Sequence, residues 1–130
     1  MIAFVDTNVL IRHLTGDPPA QARRATAVLR DAEHLLVTDV VFAECVFVLE
    51  SFYEAPRAQV ATTMRALLAM PTVSVADQPV LLRALEIYEE QRLHFAEAQL
   101  VAAAEASGVG RVLSFDRALK RATSIEWWEP

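Results

Sequence analysis

Residues 1–11, MIAFVDTNVLI, set one carboxylate, Asp6, at the end of an apolar run and follow it with Thr7 and Asn8 before apolar residues resume. Ile2-Ala3-Phe4-Val5 is continuous rather than alternating, the pattern of a strand covered on both faces. The polar trio reads two ways. Asp6 can cap the helix that follows, or it can be a catalytic carboxylate at the carboxyl end of a strand, and this stretch alone leaves both open.

The rest of the chain repeats the strand-then-helix theme. Asn8 to Leu14 is a short helix stopped at Gly16, and Asp17-Pro18-Pro19 starts a second one through QARRATAVLRDA with Asp17 as its cap. Leu35 to Val37 reads as a second strand. Thr38 or Asp39 then caps a helix from Val40 to Tyr53, and Pro56 opens another that ends near Met70. Pro71 breaks it before a third strand at 72–75. Asp77 caps the next helix, and a further one runs from His94 to Ser107 with Gly108 as its stop. A fourth strand covers 111–115, Asp116 caps the short helix RALKR, and an edge strand near Ile125 completes the set. Helices between all the strands predict an α/β fold: a three-layer α/β/α sandwich with a central, mostly parallel sheet of four or five strands. No repeat, low-complexity stretch or linker breaks the chain, so one domain over 1–130 is expected.

Composition narrows the function classes. Hydrophobic residues are 54% of the 130, high for so small a domain, which points to some apolar surface in a subunit or partner interface. No apolar run approaches the roughly 20 residues a membrane helix needs. The N-terminus has neither a basic region nor a cleavage site of the signal-peptide kind. Cys45 is the single cysteine, so no internal disulfide forms, and a reducing, cytoplasmic setting is expected. Cys45 itself reads as core. Seventeen acidic residues against twelve basic ones, all but Lys120 arginine, give a net charge of −5. That balance argues against a plain nucleic-acid binder and fits an enzyme whose acids face a bound cation.

Four acids stand in unusual places. Asp6 and Asp116 each follow a strand. Glu44 lies in VVFAECVFVLESF, and at about 100° per residue its helical neighbours are Val40, Val41, Phe47 and Val48, so it points from an apolar face. Burying a carboxylate there is expensive without compensation, either a cation or an internal arginine pair. Glu97 repeats the pattern beside Leu100 and Val101, with His94 one turn before it, although an acid in a first helical turn also suits the helix dipole. Carboxylates gathered together repel one another unless a cation joins them. Oxygen-only donors suit Mg²⁺ or Mn²⁺, and such sites do phosphoryl chemistry.

The stretches VDTNVLIRHL, Ala43-Glu44, FAEAQLVAAAEASG and LSFDRALKR, in this order and spacing, resemble the PIN-domain ribonucleases, in particular the VapC-type toxins of bacterial toxin–antitoxin pairs. The resemblance implies an endoribonuclease dependent on Mg²⁺ or Mn²⁺, hydrolysing RNA phosphodiesters with a metal-activated water, and a cognate antitoxin partner. It maps the metal-binding, catalytic acids onto Asp6, Glu44, Glu97 and Asp116. Thr7, Asn8, Ser114 and His94 fall at supporting positions, with Thr7 holding the turn. Arg12, Arg23, Arg24, Arg117, Lys120 and Arg121 are candidates for RNA contacts, or else solvated helix faces. A homodimer assembled with antitoxin follows from the family likeness and the apolar excess.

One motif departs from the family. Where relatives more often carry DFADA, this chain has His94-Phe95-Ala96-Glu97-Ala98, which loses one acid and lengthens another by a methylene. A single well-held metal, or a preference for Mn²⁺, would follow. The same departure motivates the alternative of a catalytically weak or inactive PIN-like module that binds a protein or RNA. Trp127 and Trp128 fit a sheet edge better than an RNA-stacking platform.

Overall fold

A computed structural model describes all residues, 1–130. The chain falls into two compact units, Met1–Ala76 and Asp77–Pro130.

In the first unit, β1 (Ile2–Phe4), β2 (His34–Leu36) and β3 (Val73–Ser74) form one parallel ladder in that order. Ala3 pairs with Leu35, and Leu35 with Val73. Parallel neighbours need long crossovers. Here α1 (Thr7–Thr15) and α2 (Pro19–Asp31) lead from β1 to β2, and α3 (Asp39–Ser51) and α4 (Arg57–Leu68) lead from β2 to β3. α1 packs on both α2 and α3. Leu10, Leu29, Leu35, Phe42, Val60 and Met64 are wholly buried and form this unit's core.

In the second unit, α5 (Gln78–Gln91) and α6 (Phe95–Ser107) pack against each other, and β4 (Arg111–Leu113) pairs in parallel with β5 (Glu126–Trp128). A 3-10 helix, Arg117–Arg121, lies between the two strands in sequence. Leu81, Leu85, Ile87 and Val101 fill the interior, and Tyr88 meets Phe95 edge-to-face at 6.1 Å between ring centres. The α/β class with parallel strands is therefore as the sequence predicts, and the hydrogen-bonded ladders hold three strands and two.

Most boundaries agree with the sequence to within two residues. Thr38 caps α3 through its hydroxyl (3.2 Å to Val41 N), and Asp77 caps α5 through its carboxylate (3.3 Å to Val80 N). One cap does not form as expected. α2 begins at Pro19, so the cap position falls on Pro18, which has no acceptor side chain, and Asp17 instead accepts a hydrogen bond from the Tyr53 hydroxyl at 3.3 Å.

Helix ends expose a second irregularity. α1 and α6 stop on Gly16 and Gly108 in left-handed conformation, at φ 72° and 77°, whereas α5 stops on Arg92 at φ 58°. A side chain there costs about 1–2 kcal/mol, and glycine's extra freedom in the unfolded chain takes back part of any relief. Arg92→Gly is expected to stabilise the protein by about 0.5–1 kcal/mol, read as a higher urea midpoint with an unchanged slope. The hydrogen bond from Arg121 to this residue's carbonyl (3.2 Å) uses only backbone on that side and survives the change. A lowered midpoint would show that the arginine side chain contributes more than the strain it carries.

Candidate active site

In the first unit, two acids are tied together by one threonine. β1 ends at Phe4, Val5 is buried, and Asp6 turns the chain into α1 with extended backbone (φ −82°, ψ 155°). Both carboxylate oxygens of Asp6 are held. Oδ1 accepts from Thr7 N at 2.8 Å, and Oδ2 accepts from Asn8 Nδ2 at 3.1 Å. The Thr7 hydroxyl donates to Glu44 Oε2 at 2.5 Å, across 37 residues of sequence. Thr7 therefore places its N–H on one carboxylate and its O–H on the other. Asp6 is both a cap and half of an acid pair, so the two readings of the opening stretch are not exclusive.

Glu44 corrects one expectation. It is exposed, and so are its apolar helical neighbours Val40 and Phe47. What compensates its charge is water and the Thr7 hydroxyl, since periodicity shows which residues share a helix face but not what covers that face. No arginine pairs with it.

The next residue, Cys45, is wholly buried, and its thiol is pushed up to about 12, first by burial and then by the charges of Glu44 and Asp6. A thiol held protonated is a poor nucleophile. Native protein should resist maleimide or disulfide-exchange reagents at pH 8 and react fully once unfolded in urea. Fast native labelling would mean that the thiol is neither buried nor protonated.

In the second unit, Ser114, Glu97 and Asp116 come together. Asp116 follows β4 and caps the 3-10 helix, accepting from Ala118 N at 2.9 Å. Ser114 fixes the turn by accepting from Asp116 N at 2.9 Å. Glu97 stands in the first turn of α6 with its carboxyl close enough to that of Asp116 for each to bear on the other's proton. Burial first, and then Asp116, raise the Glu97 carboxyl above the ordinary range. The Ala118 N–H first, and then Glu97, hold Asp116 below it. Arg121 and His94 lie near enough to both acids to favour their charged forms. His94 occupies the cap position of α6 but makes no capping hydrogen bond, and it is exposed.

Glu97 Oε2 is buried and faces no hydrogen-bond donor. A carboxylate oxygen left so, beside a second carboxylate, fits a hard divalent cation far better than it fits an empty interior. Within neither unit do three side chains of ligating type close on one point; each contributes two acids.

Four of the basic candidates are already engaged, in different ways, while Arg23 and Arg24 are exposed. Arg12 donates Nε to Gln21 Oε1 and Nη1 to the Asn8 carbonyl (3.1 Å). Arg117 pairs loosely with Glu129 at 3.5 Å, Lys120 lies over the Trp127 ring at 4.8 Å, and Arg121 holds the Arg92 carbonyl. Trp127 and Trp128 belong to β5, at the edge of the two-stranded ladder, and the Arg111 guanidinium stacks on Trp128 at 4.6 Å. Sequence reasoning missed the bridging role of Thr7 and the place of Gln21. Neither residue type carries a signal at its position until α1 is seen beside α3 and α2.

Each parallel α/β unit thus presents two carboxylates, one following a strand and one on a helix, which are oxygen donors of the kind a hard divalent cation takes. The sequence matches the PIN domain family over residues 3–124, and the chain belongs to that family. No curated protein matches the sequence. Among solved structures, the chain is similar to a crystal structure of VapBC2 from Rickettsia felis bound to a DNA fragment from their promoter. The likeness has 12% identity and a TM-score of 0.40, and it covers 99% of this chain and 98% of that one. No helix is long and apolar enough to cross a membrane.

Proposed function

We propose that the protein is a metal-dependent endoribonuclease and the toxin of a toxin–antitoxin pair, with Asp6, Glu44, Glu97 and Asp116 as its metal-holding and catalytic acids. PIN domains are generally nucleases that use divalent metal ions. The observation that carries the reading here is the pair Glu97/Asp116, with one buried oxygen that no protein donor satisfies. These acids would hold Mg²⁺ or Mn²⁺, which would supply Lewis-acid polarisation of an RNA phosphodiester and a lowered water pKa, so that hydroxide is available as the nucleophile near neutral pH.

The chain's own groups set the geometry. Thr7 and Asn8 fix the two oxygens of Asp6, the Thr7 hydroxyl orients Glu44, and Ser114 with Ala118 N fixes Asp116. Orienting contacts of this kind are commonly worth 10–100-fold in metal affinity or activity. Cleavage would leave 5′-phosphate and 3′-hydroxyl ends. Arg12, Arg117, Lys120 and Arg121 are the proposed RNA contacts, though Arg117 and Lys120 must first leave Glu129 and Trp127. An acidic chain of net charge −5 suits a basic antitoxin, and a cytoplasmic homodimer assembled with it completes the proposal.

The purified protein should cleave single-stranded RNA with Mg²⁺ or Mn²⁺ and stop in EDTA. The absence of cleavage under every metal condition would leave a PIN-like binding module instead. His94→Asp restores the acid that relatives carry and should shift the ratio of Mg²⁺ to Mn²⁺ activation. Identical metal profiles for the two proteins would remove His94 from the site.

A further inference from the structure

Outside the four acids, the feature most suited to a ligand is a groove of about 400 Å³ between α1 and α2, lined by Asn8, Val9, Arg12, Arg24 and Val28, with Gln21 and Ala25. Its charge is out of keeping with the chain. Residues 7–30 hold four arginines and one aspartate, in a protein of net charge −5. No acid lines the groove, and Asp17, the one aspartate of the stretch, is held by Tyr53. Arg12 is braced by Gln21 and the Asn8 carbonyl, which presents its guanidinium in one orientation. Arg24 is exposed and has no acidic partner.

The floor is different in kind. Val9, Ala25 and Val28 are apolar, and Val28 stays open to solvent although it sits on a helix with good partners on its other side. Two arginines and two valines lining one groove match a nucleotide: a phosphate for the guanidiniums and a base face for the valines. The groove also begins at Asn8, whose amide holds Asp6. A chain leaving Asp6 along α1 would enter it.

We infer that the α1/α2 groove is a subsite for an RNA nucleotide flanking the cleaved bond, its phosphate on Arg12 and Arg24 and its base against Val9 and Val28. The inference rests on the nuclease reading for the identity of the nucleic acid. An RNA strand is favoured over an acidic peptide because the groove begins at Asn8, whose amide holds Asp6, so a strand lying at that carboxylate runs straight into it.

The test is binding without cleavage. Wild-type protein in EDTA is titrated with a single-stranded RNA oligonucleotide over a range of salt, beside Arg24→Gln and Arg12→Gln/Arg24→Gln. The double variant should bind about tenfold more weakly, for the loss of two charge-assisted contacts. Its salt slope should fall by about 1.4, or about 0.7 for Arg24→Gln alone. Arg24 is exposed and unpaired, so the single variant keeps the test valid if the double one folds poorly. RNA should also move the methyl resonances of Val9 and Val28. Unchanged slopes, unmoved valine methyls, or tighter capture of a glutamate-rich peptide than of RNA at these residues would overturn the proposal. Cleavage unaffected by both variants would leave the nuclease standing and the groove refuted. Groove-dependent binding with no cleavage in any metal would do the reverse.

Discussion

Asp6→Asn is expected to reduce RNA cleavage on the order of 10³-fold while leaving the fold intact. Losing a ligand's charge forfeits several kcal/mol of transition-state stabilisation, and each 1.4 kcal/mol is tenfold. Stability should fall by no more than about 1 kcal/mol, because asparagine caps helices as well as aspartate does and its carbonyl can still accept from Thr7 N. The new amide faces the Asn8 amide, which must turn over to accept from it; if it does not, one hydrogen bond is lost, the source of that upper figure. Thr7→Val is the companion. It keeps the backbone N–H on Asp6 and removes the hydroxyl that holds Glu44, so a 10–100-fold loss is expected. The measurement is cleavage of single-stranded RNA in Mg²⁺, paired with a thermal melt. Wild-type rates for Asp6→Asn would remove this carboxylate from the chemistry and leave it a helix cap.

Glu97→Gln should be inactive and yet more stable than wild type without metal. At neutral pH the wild-type Glu97 carboxylate is half-buried, has an oxygen with no donor, and lies against the Asp116 carboxylate. The amide removes one charge of the pair and can donate to Asp116, worth about 1 kcal/mol. The pH dependence gives the sign. Because the folded protein holds the Glu97 proton more tightly than the unfolded chain does, Glu97 contributes stability that is present below its unfolded pKa and lost as pH rises through the raised folded value. The advantage of the glutamine should therefore grow from acid to neutral pH and vanish where Glu97 is protonated in both states. Metal reverses the ranking. Mg²⁺ or Mn²⁺ at a hundred times its Kd stabilises wild type by about 2.7 kcal/mol, and the variant should gain much less. Urea melts with and without metal decide it: a destabilised Glu97→Gln, or equal metal stabilisation of both proteins, would exclude Glu97 as a ligand.

Much of this protein is written locally. The caps at Thr38 or Asp39 and at Asp77, and the stops Gly16 and Gly108, can be read from sequence because each depends on residues within one turn of itself. The apolar run at 2–5 does form a strand, but Ile2 and Phe4 stand exposed, so it is not covered on both faces: an apolar run gives the strand and not what packs on it. Asp17 misled for a similarly local reason. Two successive prolines leave the helix start ambiguous by one residue, and that residue decides which side chain can cap. Glu44 misled for a non-local one. A helix that is apolar nearly all round does not say which face is covered, and its acid proved to stand in solvent beside Val40 and Phe47.

The order of strands and helices, among which four acids stand as candidates, was thus determined by the sequence alone, since hydrophobic period and cap chemistry are short-range properties. Only the tertiary structure decided what those acids do to one another. It set the Thr7 hydroxyl on Glu44 across 37 residues, brought Glu97 against Asp116, and left Glu97 Oε2 without a donor. Such contacts depend on which helices pack, and α1 on α3 or α6 beside the turn after β4 is fixed by burial summed over a whole unit. Asp6 can be read as a cap from its neighbours. That it also belongs to an acid pair is a fact of packing.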